Sequence, residues 1–212
     1  MKYCSIGALA VACILCGCQS TTDSPKTYTG KDGISYHEEK DIQGVWMADG
    51  FNFTAYDTVL VAEPASNAES RSDEERKVLE TAKRSLRQEL VNALQDTHVF
   101  QKVVSSTNDV PANARLLVLQ NSIYHHEKGG GGARYFAGLY GGGQPVIKVN
   151  GTMMGGGQPL FRYDITRSGE SGGSRLGGAF MSDENIQTED IKDLARDLAA
   201  FVDRTAKGLP AK

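Results

Sequence analysis

The sequence predicts an α+β domain. We expect a two-layer sandwich, in which a mixed, mainly antiparallel sheet of about five strands carries two helices on one face, in the order β-α-β-β-β-β-α. Short apolar runs rich in β-branched residues are typical of buried strands, and two longer stretches have apolar residues three or four positions apart, as in amphipathic helices. Two helices and one parallel crossover fit most simply on a single sheet covered on one face.

The two helices have the clearest signals. Ser72 and Glu75 have the spacing of a capping box, which predicts a first helix from about residue 72 to about residue 96. The second helix is predicted near the C-terminus, with either Ser182 or Thr188 as its N-cap. The predicted apolar stripes are Leu79, Ala82, Leu86, Leu90 and Ala93 in the first helix, and Ile191, Leu194, Leu198, Phe201 and Val202 in the second.

Five segments are predicted to be strands: residues 58–62, 99–105, 114–124, 145–154 and 158–167. The last two form a hairpin, and we place the centre of its turn at Gly156. This register pairs Gly151 with Phe161 on an apolar face and Lys148 with Asp164 on a polar face. Residues 34–53 contain scattered aromatic side chains and are predicted to pack across the domain without regular structure.

The N-terminus is typical of an exported protein. Residues 1–17 have the short apolar run of a signal peptide, too short for a lasting transmembrane helix. The end of this run, from Leu15 to Cys18, resembles the bacterial lipobox, which implies cleavage before Cys18 and lipidation of its thiol. Cleavage near Gly17 by the ordinary secretory route is the alternative. Residues 18–33 are then the lipidated cysteine and a flexible tether, and residues 34–212 form one periplasmic domain.

The compartment follows from the residue after the lipidated cysteine and from the cysteine positions. An Asp in that place commonly retains lipoproteins at the inner membrane, whereas this chain has Gln19. We therefore expect a lipid anchor in the outer membrane, with the domain facing the periplasm. All four cysteines lie within the first 18 residues, so packing and not disulfide bonds must stabilise the domain.

Net charge and motifs argue against several functions. The formal charge is −3 with acidic and basic residues interspersed, which gives no support to nucleic-acid binding. The sequence carries no signature of a cofactor. Residues His125, His126 and Glu127 are adjacent on a predicted strand, where neighbouring side chains point to opposite faces, so we interpret them as a solvated strand end and predict no metal site.

Two glycine-rich tracts, residues 129–143 and 169–178, are the most unusual feature of the sequence. The first leads into the predicted hairpin and the second leaves it, so both are expected at the same end. We predict that they form one interaction surface for a protein partner in the cell envelope. Its candidate residues are Arg134, Tyr135, Phe136, Leu139 and Tyr140 from the first tract and Arg175 from the second. Burial of Tyr135, Phe136 and Tyr140 against the end of the sheet is the alternative.

The first tract also carries a resemblance to a known family. Its run Ala133-Arg-Tyr-Phe136, followed by Gly138, Leu139 and Gly141, is similar to a loop in a family of uncharacterised bacterial lipoproteins that contain a domain of unknown function. Residues 56–61 resemble the family's entry into its first strand, whereas Met153 to Gly157 depart from its pattern. The resemblance implies an α+β fold and an envelope location, and it implies no particular reaction.

Three functions are weighed for such a chain. The first is a non-enzymatic, membrane-anchored lipoprotein that presents the glycine-rich tracts to a protein partner. The second is a periplasmic domain that binds a small ligand, either a glycan or a lipid fragment. The third is a hydrolase that uses Ser171, because Gly169-Glu-Ser-Gly-Gly173 matches the Gly-x-Ser-x-Gly pattern. This function is the weakest of the three, because the segment lacks the helix that must follow a nucleophile elbow.

Overall fold

The computed structural model describes residues 26–68, 72–127, 146–168 and 183–209. Within these ranges the chain forms nine strands and two helices. The strands are β1 (Thr27–Thr29), β2 (Ser35–Glu39), β3 (Ile42–Met47), β4 (Thr58–Val61), β5 (Ala65–Ser66), β6 (Lys102–Val104), β7 (Leu116–Glu127), β8 (Val146–Gly155) and β9 (Gln158–Ser168). The helices are α1 (Asp73–Asp96) and α2 (Asp183–Ala206).

All nine strands belong to one mixed sheet. Its order is β1-β2-β3-β9-β8-β7-β4-β6, with β5 paired to β7 beside this path. Neighbouring strands in the series β1-β2-β3-β9-β8-β7 pair antiparallel. Strand β4 pairs parallel with both β6 and β7. The α+β class and the mainly antiparallel mixed sheet are therefore confirmed, and the predicted number of about five strands is wrong.

Four strands are missing from the predicted order, and three of them extend one edge of the sheet. Strand β1 lies within the predicted tether, and strands β2 and β3 lie in the segment predicted to be irregular. Strand β3 supplies Ile42 and Val45 to the core, but its neighbours β1 and β2 contain no fully buried residue. Backbone pairing holds these strands in sequence, β3 on β9, β2 on β3 and β1 on β2, so β1 and β2 need no alternating apolar pattern.

Both predicted helices are confirmed, with small corrections. The Ser72 hydroxyl accepts a hydrogen bond of 3.1 Å from the Glu75 backbone amide and caps α1. The buried stripe of α1 ends with Leu94, whereas Ala93 is only partly buried. Helix α2 begins at Asp183, so Thr188 lies inside it and is not its N-cap. The five predicted core residues of α2 are all buried.

Strand β6 is shorter than the predicted segment of residues 99–105. The chain turns sharply after α1 at His98, whose φ is 55°. Phe100 then points into the core with 2% of its surface exposed, and only Lys102–Val104 pair with β4. The side chain of Gln95 accepts a 3.0 Å hydrogen bond from the Val103 amide and fixes this junction.

The β8–β9 hairpin has the predicted faces but a different register. Val149 pairs with Ile165 and Gly151 pairs with Tyr163, so each pairing is shifted by two residues from the prediction. The cause is a two-residue turn at Gly156 and Gly157, which both have positive φ, together with a bulge next to Met153. Such turns suit the right-handed twist of a hairpin and favour glycine at both positions.

A shift of two residues keeps every side chain on its predicted face, because side chains alternate along a strand. The predicted pairs of Gly151 with Phe161 and of Lys148 with Asp164 are nevertheless wrong. Gly151 lies under the ring of Tyr163, and a Cβ atom there would be 2.3 Å from the tyrosine Cε1. Asp164 lies opposite Asn150.

The core lies between the two helices and one face of the sheet. Helix α1 packs against α2 and the β4–β6 region, and α2 packs on β8 and β9. The buried side chains form one continuous cluster that reaches from Ile42 in β3 to Val103 in β6. None of the helices in the described ranges has the length and apolar composition needed to cross a membrane.

Candidate functional site

The residues predicted to carry function from the sequence lie outside the described ranges. They are the lipidation site Cys18, the candidate interaction residues Arg134, Tyr135, Phe136, Leu139, Tyr140 and Arg175, and the weakly supported nucleophile Ser171. The structure does describe the strand ends that flank the two glycine-rich tracts.

Three strand ends lie side by side at these flanks. Glu127, the last residue of β7, pairs with Val146, the first residue of β8. Val146 in turn pairs with Ser168, the last residue of β9. Since neighbouring strands are about 4.8 Å apart, the three positions span only about 10 Å. The chain therefore leaves and re-enters the described part of the sheet at one place, which we call the paired strand ends.

The histidine run also lies at this end of β7. A bulge between Ile123 and His125 shifts the register there. The Nε2 atom of His125 is 3.1 Å from a carboxylate oxygen of Glu127, and both side chains are substantially exposed. In the described part of the chain, no group of three or more His, Cys, Asp or Glu residues is placed to bind a metal ion.

A buried arginine braces the paired strand ends from the helix side. Arg167, the residue before the end of β9, is 5% exposed. Its guanidinium donates to a carboxylate oxygen of Asp197 in α2, and to the backbone carbonyls of Asp41 at 2.7 Å and Thr166 at 2.9 Å. This one side chain thus joins β9, α2 and the turn between β2 and β3. Removing one partner of a buried ion pair is costly, because the other charge is left unpaired.

A buried acid, Asp190, lies close enough to this arginine to interact with its charge. Asp190 of α2 is 3% exposed, and its Oδ2 atom has no hydrogen-bond partner. Burial raises the pKa of Asp190 to about 7, the charge of Asp193 adds to the increase, and the charge of Arg167 opposes it. A carboxyl group in this position favours its neutral form at a pH where ordinary aspartates are ionised.

We expect Asp190→Asn to stabilise the protein at pH 8 and to leave it nearly unchanged at pH 4. The pKa of Asp190 is about 7 in the folded chain and about 3.9 in the unfolded chain. At pH values between these two, the folded chain therefore binds more protons than the unfolded chain. The stability contributed by the protonated Asp190 is therefore complete below about pH 4 and decreases as pH rises towards 7, by up to about 1.4 kcal/mol per pH unit.

Urea unfolding of both proteins at several pH values measures this difference. The asparagine side chain has no titration, so the stability advantage of the variant should grow from pH 4 to pH 7 and then level off. The exposed Asp109 provides the matched control, since Asp109→Asn should give no such trend. An advantage that is constant with pH, or that shrinks as pH rises, would contradict the role given to Asp190.

The opposite face of the sheet holds a groove of about 580 Å³. It lies beside the middle of β8 and β9, and we call it the tyrosine groove. Its main side chains come from the β1–β2 region, β7 and β9: Tyr28, Asp32, Tyr36, Tyr124, Arg162 and Asp164. Asn150 and Thr152 of β8 and Lys31 of the β1–β2 loop also line it.

The first wall of the tyrosine groove consists of Tyr28 and Tyr36. They pair across β1 and β2, and their rings stack with centroids 5.5 Å apart and an interplanar angle of 16°. Tyr28 reaches over β3 because residue 44 is glycine; a Cβ atom on Gly44 would lie 2.0 Å from the tyrosine hydroxyl. Gly44 pairs with Asp164, so the Tyr28 hydroxyl is held near this carboxylate.

Hydrogen bonds fix the polar side chains of the groove. Asp32 accepts from the Tyr36 hydroxyl at 2.8 Å and from an Arg162 Nη1 at 2.9 Å. Arg162 also lies over the ring of Trp46, with 5.8 Å between the guanidinium carbon and the ring centroid. Deeper in the groove, the Tyr124 hydroxyl donates to Asp164 at 2.8 Å.

These contacts shift the pKa values of the groove residues. Burial, followed by the hydrogen bond to Asp32, raises the pKa of Tyr36 to about 12. Burial also raises the pKa of Asp164, although the hydrogen bond from Tyr124 and the charge of Lys148 oppose it. For Asp32 burial acts in the same upward direction, but the hydrogen bonds from Tyr36 and the Ile34 amide and the charge of Arg162 prevail and lower its pKa. At neutral pH the tyrosines are thus hydrogen-bond donors.

Sequence reasoning missed both the arginine brace and the tyrosine groove. Asp32 and Arg162 are 130 positions apart, and Arg167 and Asp41 are 126 positions apart. No local spacing relates such residues. The usable signals were individually weak: an isolated glycine, Gly44, in an apolar run that otherwise fits a strand, and tyrosines in a segment of mixed polarity.

No protein-family model and no curated protein sequence matches the chain. Several solved structures are similar to it. The PelC dodecamer from Paraburkholderia phytofirmans is 18% identical, with a TM-score of 0.46, over 72% of this chain and 96% of that chain. Protein XCC0632 from Xanthomonas campestris, assigned to DUF330, is 12% identical, with a TM-score of 0.45, over 76% of this chain and 91% of that chain.

A putative neuraminyllactose-binding hemagglutinin homologue from Helicobacter pylori is similar at a lower level. It is 8% identical, with a TM-score of 0.34, over 77% of this chain and 97% of that chain. With identities of 18% or less and TM-scores of 0.46 or less, these three likenesses carry no information on the activity, ligand or partner of this chain.

Proposed function

We propose that the protein is a non-enzymatic lipoprotein of the bacterial cell envelope. Lipid chains on Cys18 anchor it in the outer membrane, and its periplasmic domain presents the two glycine-rich tracts to a protein partner. The observation that carries the proposal is the adjacency of Glu127, Val146 and Ser168. Glu127 and Val146 flank the first tract and Ser168 precedes the second, so the chain enters both tracts, and returns from the first, within about 10 Å.

The chemistry of the tracts suits protein recognition. The first tract contains Arg134, Tyr135, Phe136 and Tyr140, and aromatic and arginine side chains are enriched at the centres of protein interfaces. The second tract adds Arg175. The buried Arg167 beside the paired strand ends contacts Asp197 and holds β9 to α2, so the strand ends next to the tracts are stabilised.

Capture from solubilised envelopes tests this proposal. Tagged wild type should recover one specific partner protein. When the tag is placed on that partner instead, the partner should recover the lipoprotein. Arg134→Ala and Tyr140→Ala should each reduce this recovery about tenfold or more, since truncating a central interface residue costs at least about 1.4 kcal/mol. The matched controls are Arg84→Ala on the exposed side of α1 and Tyr28→Ala in the tyrosine groove.

Both controls should recover the partner at the wild-type level. Equal recovery by all four variants would exclude the tracts as the binding surface. Loss of recovery with Tyr28→Ala alone would move the binding surface to the opposite face of the sheet. Labelling of Ser171 by a fluorophosphonate probe would contradict the non-enzymatic assignment.

A further inference from the structure

We infer that the tyrosine groove is a binding site for a neutral polyhydroxylated ligand, namely a segment of a carbohydrate chain. The groove lies beside the middle of β8 and β9, on the sheet face opposite the helices. Its lining is therefore separate from the paired strand ends. The inference does not depend on the function proposed for the glycine-rich tracts.

The charges of the groove favour a neutral ligand. The lining contains two acidic residues, Asp32 and Asp164, and two basic residues, Lys31 and Arg162. Asp32 and Arg162 already form an ion pair at 2.9 Å, and Lys148 acts electrostatically on Asp164. A ligand with a strong charge of either sign would find no net opposite charge here, so charge complementarity points to an uncharged one.

The aromatic side chains favour a ligand with flat apolar faces. Tyr28 and Tyr36 form a stacked pair, and Tyr28 is among the few large apolar side chains of the described residues that are exposed, at 39%. An aromatic ring has an apolar face and, in tyrosine, a polar tip. Sugar rings have the matching geometry, because their C–H groups lie on their faces and their hydroxyl groups lie at their edges.

The polar atoms require a ligand that both donates and accepts hydrogen bonds. Asp164 and Asn150 offer acceptors, whereas Arg162 has a buried Nε–H group that has no hydrogen-bond partner. A hydroxyl group can donate to the acceptors and accept from the donors, so a polyol satisfies both kinds with one functional group.

The groove size fits such a ligand. Small-molecule sites commonly measure about 300 to 1,000 Å³ and combine apolar surface with a few convergent polar groups. The tyrosine groove, at about 580 Å³, lies in the middle of that range and is open along one side. An open groove admits an internal segment of a longer chain as well as its end.

Binding of defined hexasaccharides to the full-length lipoprotein tests the inference. The neutral probes are cellohexaose, maltohexaose and N-acetylchitohexaose, and the charged probes are a glucosamine hexamer and a hexagalacturonate. The protein is kept in a detergent without a sugar headgroup, and binding is measured by calorimetry. At least one neutral hexamer should bind more tightly than both charged hexamers.

Variants then tie the binding to the groove. Tyr36→Ala removes half of the stacked pair, and Asp164→Asn removes a charged acceptor while it keeps the shape of the side chain. Each substitution should lower the affinity for the neutral hexamer about tenfold. Asp109→Asn and Arg84→Ala, both at exposed positions, are the controls, and both should bind as wild type. Thermal unfolding of each variant shows whether it is folded, and having two groove variants guards against loss of one.

Three results would overturn the inference. The first is the absence of binding by any of the three neutral hexamers at concentrations up to about 10 mM, which corresponds to less than about 3 kcal/mol of affinity. The second is tighter binding of either charged hexamer. The third is neutral binding that Tyr36→Ala and Asp164→Asn leave unchanged, because that would place the site elsewhere.

Discussion

Replacement of Cys18 with serine is expected to abolish lipidation of the protein completely. The lipobox reaction forms a thioether on the cysteine sulfur, and a serine hydroxyl does not replace a thiol in it. The proposed cleavage before residue 18 requires prior lipidation, so Cys18→Ser should also keep residues 1–17 attached. Anchoring by acyl chains is strong only when more than one chain is present, since each buried methylene contributes about 0.8 kcal/mol.

Metabolic labelling with a palmitate analogue measures this effect. Wild type should carry the label and have the mass of the processed chain, whereas Cys18→Ser should lack the label and have the mass of the full 212 residues. The chain offers a matched control two positions earlier, because Cys16 precedes the proposed cleavage site. Cys16→Ser should be labelled and processed as wild type. A labelled Cys18→Ser variant would show that another residue is acylated.

The amphipathic elements could be predicted because their signal is local. Each helix presents one apolar stripe to one continuous core, so spacing alone identified Leu86 and Leu90 in α1 and Leu198 in α2 as buried. Strand β4 was predictable for a related reason. It is buried on both faces, and its apolar run is uninterrupted from Val59 to Val61.

The hairpin register shows where local reasoning stops. Alternation of apolar residues defines the faces of β8 and β9, but every register that differs by two residues satisfies it equally well. The turn decides between these registers. The three consecutive glycines allow turns of different length, and the backbone adopts the two-residue form with positive φ at Gly156 and Gly157.

The edge strands and the sites that depend on them could not be predicted. Strands β1 and β2 are held by backbone pairing and by side-chain contacts that include one between distant residues, the hydrogen bond from Arg162 to Asp32, which are 130 positions apart. Arg167 is the last residue of a predicted strand, and it is buried because α2 and the turn at Asp41 cover it. Only the tertiary structure brings these partners together.

The largest stability effect is expected at a residue whose importance was also hidden. Phe53 lies in a short 3₁₀ helix, Phe53–Ala55, between β3 and β4, in the region where no clear pattern was found. Its side chain is completely buried. The Asn52 side chain caps this turn by accepting a 2.9 Å hydrogen bond from the Thr54 amide, which fixes the direction in which Phe53 enters the core.

Phe53 occupies the point where separate parts of the fold meet. Its ring makes edge-to-face contacts with Phe161 of β9 at 5.4 Å and with Phe201 of α2 at 6.5 Å. It makes a third such contact with Phe100, after α1, at 6.5 Å. Because these neighbours come from the sheet and from both helical regions, they have little freedom to move into the space that a smaller side chain would leave.

We therefore expect Phe53→Ala to lower the free energy of unfolding by about 3 to 5 kcal/mol, from the lost burial of the ring and the cavity that remains. The neighbouring Phe51 provides a matched control, since its ring contacts Phe53 at 4.8 Å but is only half-buried. Phe51→Ala should cost less than half as much, because its site is open to solvent and part of its surface is already hydrated.

Urea unfolding followed by the fluorescence of Trp46, the only tryptophan, measures both variants. The slope of the unfolding free energy against urea concentration should be the same as in wild type. The difference then appears in the urea concentration at the unfolding midpoint and reflects stability. A cost of less than about 1 kcal/mol for Phe53→Ala would mean that the surrounding phenylalanines close the cavity. If Phe53→Ala lowers the unfolding free energy no more than Phe51→Ala does, the edge-to-face contacts of Phe53 with β9 and α2 do not stabilise the packing of the helices on the sheet.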